Sequence, residues 1–102
     1  MKVTIRDEQV LRAIRPEELV AYLRSRGWRE HRTLGDVAGL WRMLHGGEHI
    51  EVLAPLDPSL GDFASRMLDA IKTLEVVEGR SQLDILRDIA TAMADVLRIP
   101  LG

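Results

Sequence analysis

His45-Gly46-Gly47-Glu48-His49 sets two histidines four residues apart with a glutamate beside the second. The letters fit H-x-x-E-H, the inverted zinc-protease pattern, in which one helical turn brings both imidazoles onto a metal and the carboxylate activates water. That chemistry needs a helix. Two adjacent glycines cost about 2 kcal/mol of helix propensity relative to alanine, and Gly-Gly is a pair that mirror-image hairpin turns prefer. The segment therefore reads as a turn whose histidines flank it, no third ligand is evident, and neither a metal nor a cofactor is expected. With no cysteine in the chain, thiolate zinc sites, disulfides and cysteine nucleophiles are excluded as well.

Two other groups of residues invite a chemical reading. Arg24, Arg26, Arg29 and Arg32, with Trp28 and His31 among them, form the densest basic cluster. Arginine forks bind phosphates and an exposed tryptophan can stack on a base, so the cluster is a candidate RNA or DNA surface. Against this, Arg24 and Arg26 fall in the last turn of an expected helix, where the dipole favours cations anyway. The carboxylates of Asp36, Asp57 and Asp62 lie in loops and could converge for acid–base work. Each also has a sufficient explanation in turn or cap chemistry. No Ser-His-Asp pattern, P-loop or dinucleotide fingerprint is present, and the chain is expected not to be an enzyme.

The elements that position these residues follow from punctuation and periodicity. Residues 1–14 carry mixed strand and helix signals: Val3 and Ile5 alternate with polar residues, whereas Val10, Leu11 and Ile14 suit a helical turn. Pro16, Glu17 and Glu18 open a helix over 16–26, and Gly27 supplies its left-handed cap. Trp28 to Arg32 predicts a strand, Thr33 to Asp36 a turn, Val37 to Leu44 a central strand apolar on both faces, and Ile50 to Leu56 a third strand paired through the Gly-Gly turn. Pro55, Asp57, Pro58 and Gly61 break that strand. Asp62 can cap a helix striped by Phe63, Met67, Ile71 and Leu74, which Gly79 ends. Ser81 to Asp84 approximates a capping box opening a helix over 81–97, striped by Leu83, Leu86, Ile89, Ala90, Met93 and Leu97. The fold class is α+β: a helix, a three-stranded antiparallel sheet, then two long helices packed on one sheet face.

A length of 102 residues with 46% hydrophobic and 29% charged residues suits one domain spanning 1–102, since a chain this size buries roughly two thirds of its unfolded surface. Ile99 and Leu101, after the last helix, look like the start of another strand. The expectation is that the chain is the N-terminal domain of a longer protein. No apolar run approaches the ~20 residues that cross a bilayer, and the N-terminus lacks a signal peptide's apolar stretch, so a cytoplasmic location with no membrane partner is expected. Twelve arginines against two lysines suggest the coding bias of a high-GC bacterium. Net charge is −2, but residues 1–32 hold eight Lys/Arg against five Asp/Glu, while residues 33–102 hold six against eleven. Only the first third could attract a polyanion.

One surface remains. If Ile50, Val52, Ala54 and Leu56 pack under the helices, Leu53 points to the opposite face, together with either Trp41 and Met43 or Leu40 and Leu44. An apolar outer sheet face marks an interface. The leading expectation is a non-enzymatic interaction or assembly module with Trp41, Met43 and Leu53 as anchors, binding a protein partner or a second copy of itself. The alternative is nucleic-acid binding through Arg24, Arg26, Trp28, Arg29 and Arg32.

The order of helix, Arg-Gly-Trp, three-stranded meander and helix resembles the small double-stranded-RNA-binding-like fold, including HicA-type RNA-cleaving toxins. The residues that carry the resemblance are Tyr22, Leu23, Gly27 and Trp28, and it covers roughly residues 16–78. Those toxins have a Gly-Ser-His motif entering the second strand, where this chain has Leu34-Gly35-Asp36. The resemblance implies the fold and, lacking the histidine, a nuclease remnant at most.

Overall fold

In the computed structural model residues 8–96 are described, with side-chain surroundings given for residues 8–92. The elements run α1 (Glu8–Ala13), α2 (Pro16–Ser25), β1 (Arg29–Leu34), β2 (Ala38–His45), β3 (Glu48–Pro55), α3 (Phe63–Glu78) and α4 (Gln82–Val96). The strands form one antiparallel sheet in the order β1-β2-β3. The α+β layout of helix, three-stranded sheet and two long helices is as the sequence predicts, and the ambiguous segment before Pro16 contributes a short helix at Glu8–Ala13. Residues 1–7 and 97–102, with the expected strand start at Ile99 and Leu101, lie outside the described residues.

Local chemistry explains the boundaries. Pro16 occupies the first position of α2, and the Glu18 carboxylate accepts a hydrogen bond from the Arg15 backbone N–H at 2.8 Å. At the other end Gly27 takes φ +91°, the Trp28 N–H donates to the Leu23 carbonyl at 3.0 Å and the Gly27 N–H to Arg24 at 3.3 Å. This is a Schellman cap, and its companion apolar contact is supplied by Trp28 and Leu23, both buried. The cap thus turns the chain into the sheet and seats an indole in the core at once. At the start of α3 the expected Asp62 cap is absent: its carboxylate makes no cap hydrogen bond and pairs with Arg66 at 3.2 Å. Gly79 closes α3 in the left-handed conformation, and the Ser81 hydroxyl accepts from the Asp84 N–H at 3.2 Å to cap α4.

The helices lie over one sheet face. α3 packs on β3 and α4 packs against α2 and α3. One buried core joins Leu19, Tyr22 and Leu23 of α2, Phe63, Met67, Ile71 and Leu74 of α3, and Ile85 and Ile89 of α4. The strand side of that core is Trp41, Val52 and Ala54.

Cross-strand register decides which residues face away. Trp41 stands opposite Val52 and Met43 opposite Ile50, whereas Leu40 stands opposite Leu53 and Arg42 opposite Glu51. Trp41 is 2% exposed and Met43 packs against the core. Of the three expected anchors, Trp41 and Met43 therefore lie on the inner face, and only Leu53 lies on the outer one. Room for the indole comes from Gly39, where an added Cβ would stand 3.3 Å from the Trp41 Nε1. With Trp41 turned inward, the pleat sends Leu40, Arg42 and Leu44 outward.

Candidate functional site

The histidine pair is settled by the hairpin. Gly46 and Gly47 both have positive φ, +60° and +85°, and His45 pairs with Glu48 across a two-residue turn. His45 shares the parity of Trp41 and Met43, while His49 stands opposite Leu44. The two imidazoles leave the hairpin on opposite faces and cannot share one ion. Among the described residues, no group of three or more His, Cys, Asp or Glu side chains could hold a metal.

The arginine cluster is divided by the fold. The Arg24 guanidinium carbon lies 5.6 Å from the Trp41 ring centroid, a cation–π cover over the buried indole. Arg26 lies 5.2 Å from the Tyr22 ring centroid and pairs with Asp88 at 3.1 Å. Trp28 is buried and offers no ring to a base. Arg29 and Arg32 differ: they lie on β1, whose six residues are all exposed. Register places Arg29 opposite Arg42 and Arg32 opposite Leu40, on the outer face, with an irregularity at His31 between Glu30 and Arg32.

The outer face therefore joins residues that were expected to serve different functions. Its middle row is Arg29, Arg42 and Glu51, and its next row is Arg32, Leu40 and Leu53. Arg42 donates to the Glu51 carboxylate through Nη2 at 2.7 Å and Nε at 3.2 Å. Those hydrogen bonds hold the Glu51 carboxyl below its ordinary range, helped by the Arg42 charge and by His31 and Arg32 nearby. Leu44, 63% exposed, closes the row at the Gly-Gly end. At the opposite end, exposed Leu34 and Val37 join Leu53, Pro55 and Leu60 around a cavity of about 250 Å³. A second cavity, about 430 Å³, opens between Arg29, His31, Arg42, Met43, Leu44 and His49. Leu40 and Leu44 are the pair that the sequence offers as the alternative to the expected anchors Trp41 and Met43, and Arg42 is not among the residues it names for this face. The available signal was Arg42 itself, since the parity that carries a charge is the one that leaves the core.

Of the loop carboxylates, Asp57 and Asp62 both border the smaller cavity, and Asp36 does not. Asp57 accepts from the Ser59 hydroxyl and from the Ser59 N–H at 3.0 Å, and these bonds hold its carboxyl below the ordinary range. A general acid needs the opposite shift. Asp62 is paired with Arg66.

A polar cluster lies away from the sheet, where α2, α3 and α4 meet. The Tyr22 hydroxyl donates to Glu78 Oε1 at 2.6 Å. Arg80 donates to the same Glu78 oxygen at 3.2 Å, to Tyr22 Oη at 3.4 Å and to the Asp88 carboxylate, which Arg26 also binds. Burial pushes the Tyr22 phenol well above its ordinary pKa, and Glu78 adds to the shift through its hydrogen bond and its charge. A phenol raised on folding contributes stability that is complete below its unfolded pKa of about 10 and is lost as pH climbs towards the folded value. Tyr22→Phe is expected to cost about 1–3 kcal/mol at neutral pH, and to shrink the loss of stability between about pH 10 and 12. Urea denaturation of both proteins across that range measures it. Because Tyr22 is the chain's one tyrosine, ultraviolet titration reads its ionisation directly.

These contacts sort the candidates by chemistry: the helix junction is a set of polar groups that hold one another, and the outer sheet face carries exposed and half-buried leucines beside Arg29, Arg32 and the Arg42–Glu51 pair. No protein-family model matches the chain, and comparisons with curated proteins and with solved structures find no match either.

Proposed function

We propose that the chain is a non-enzymatic docking module that binds a protein, a second copy or a different partner, through the outer face of β1, β2 and β3. The observation that carries this reading is the row of leucines on the side of the sheet opposite the helices, with Leu34 and Leu44 exposed and Leu40 and Leu53 half-buried. Apolar side chains gathered on one face of a folded domain are costly to leave wet, and such a face is where a partner gains by covering them. The anchors are Leu40, Leu44 and Leu53, with Leu53 kept from the sequence-based set. Trp41 and Met43 serve the core instead.

Nucleic-acid binding is the second reading, favoured by the convergence of Arg29, Arg32 and Arg42 on this face. Single-strand binders add aromatic platforms to such cations, and both tryptophans are buried here. The protein-docking reading therefore ranks first.

Site-specific photo-crosslinking in cells tests it. A photoreactive residue at position 53 should give protein adducts, and one at position 76, where Val76 is 79% exposed on α3, should give few. Equal yields from the two positions would reject the outer face as a docking surface. Adducts formed only with nucleic acid would promote the second reading.

A further inference from the structure

Resting on the docking reading above, we infer that the occupant of the outer face is an acidic amphipathic helix of another protein. Charge decides against the nearer candidates. Arg29, Arg32 and Arg42 lie on this face with His31 and His49 beside them; Glu51, the carboxylate that its strands turn outward, is already held by Arg42, and Asp57, Asp62 and Asp69 line the cavities beside Leu53. Two copies packed face to face about a two-fold axis would set the β1 arginines either against one another, which is costly, or over β3, whose outward carboxylate Glu51 is already held by Arg42. The chain's own ends suit the face no better: residues 1–7 carry Lys2 and Arg6 against Asp7, and residues 97–102 carry Arg98 and no acid. The complementary surface is one that brings carboxylates.

Shape decides between a strand and a helix. A partner strand would have to add at the edge of β3, beside which Arg66, Asp69 and Thr73 of α3 line a cavity with Glu51 and Leu53, or at the edge of β1, which reads Arg-Glu-His-Arg-Thr-Leu with a register break at His31. Charges and bulges on an edge strand oppose strand addition. The face itself fits a helix. Three strands about 4.8 Å apart span about 10 Å, close to the 10–12 Å diameter of one helix. Strands of eight residues run about 27 Å, the length of a helix of about 18 residues.

The arrangement of the face also fixes which side of the helix is acidic. Leu40 and Leu53 lie side by side on β2 and β3, with Leu44 on the same face of β2, whereas Arg29 and Arg32 line β1. A docked helix therefore presents leucines at i, i+3, i+4 and i+7 to β2 and β3, and glutamates from the flank nearest β1 to the two arginines.

The probe is a synthetic amphipathic peptide of about 18 residues with leucines at that spacing and glutamates on the flank that meets β1. Its partner probe is the same peptide with every glutamate replaced by lysine. Chemical-shift titration of the isotopically labelled full chain should show the glutamate peptide perturbing amides of β1, β2 and β3, at least about tenfold more tightly than the lysine peptide. In the double variant Arg29→Glu, Arg32→Glu the preference should invert, and Leu53→Ser should weaken both. No binding of the glutamate peptide, or equal binding of the two peptides, overturns the inference. Light scattering that finds a dimer whose position-53 crosslinks are to a second copy also overturns it, while leaving the docking reading in place. Binding of an oligonucleotide with no response to the glutamate peptide overturns both.

Discussion

Trp41→Ala is expected to unfold much of the protein, whereas Leu53→Ser, on the adjacent strand, is expected to leave it folded. Trp41 is 2% exposed and stands opposite Val52, over which the helices pack. Truncating a buried tryptophan removes its transfer free energy and leaves a cavity, at a cost of about 3–5 kcal/mol. That is a large share of the ~5–15 kcal/mol that holds a domain of this kind together, and corresponds to a fall in Tm of more than about 12 °C. Arg24 would lose the ring it covers, adding about 0.5–1 kcal/mol at an exposed site. Trp41→Phe should cost less than alanine, because most of the volume is kept and an indole N–H that has no partner is removed. Thermal denaturation of the three variants checks the set. A Trp41→Ala protein that melts like the parent would mean that the register is inverted and that the leucine row is not the outer face.

The comparison between Trp41 and Leu53 also marks how far the sequence could be read. Helix ends were legible wherever a residue's own backbone chemistry decided them: Pro16 and Gly27 bounded α2, Gly46 and Gly47 made the hairpin, and Gly79 stopped α3. These are local effects, and the structure repeats them to within a residue or two. Asp62 failed as a cap because Arg66, one helical turn on, offered its carboxylate a charged partner.

The faces of β2 were less legible because both parities are apolar. Gly39, Trp41 and Met43 alternate with Ala38, Leu40, Arg42 and Leu44, and hydrophobicity alone does not separate them. Two particulars do: Arg42 belongs to the outward set, and Gly39 leaves the space into which the Trp41 indole fits. The candidate site was thus half visible. Leu53, Arg29 and Arg32 were named from sequence for two different functions, and only the register of β1 and β3 on β2 puts them on one surface. The junction of Tyr22, Glu78, Arg80 and Asp88 left no sequence signal, since its members are up to 66 positions apart and meet only when α2, α3 and α4 pack.

Arg80→Ala is expected to be the most damaging substitution of a charged residue among those at that junction. One guanidinium there serves Tyr22, Glu78 and Asp88, and also donates to the Asp84 carbonyl at 3.4 Å. Its removal leaves the Glu78 carboxylate, 13% exposed, with only the Tyr22 hydroxyl, while one of its oxygens is already without a partner. Breaking a fully buried pair costs about 3–5 kcal/mol. Because Arg80 and Asp88 are partly open to solvent, about 2–3 kcal/mol is expected here, after discounting for screening. The acid limb of the stability profile should change as well. The hydrogen bond from Arg80 leads the effects that hold the Asp88 carboxyl below its ordinary range. A carboxyl lowered on folding contributes stability that is complete above its unfolded pKa of about 4 and is lost as pH falls through the folded value. Arg80→Ala should therefore lose less stability than the parent between about pH 4 and pH 2, although it starts lower. Arg80→Lys, which keeps the charge but not the fork that spans Glu78 and Asp88, should recover only part of the difference. Urea denaturation of the three proteins from pH 7 downward measures both effects, and parallel acid limbs in parent and Arg80→Ala would show that Asp88 is not coupled to Arg80.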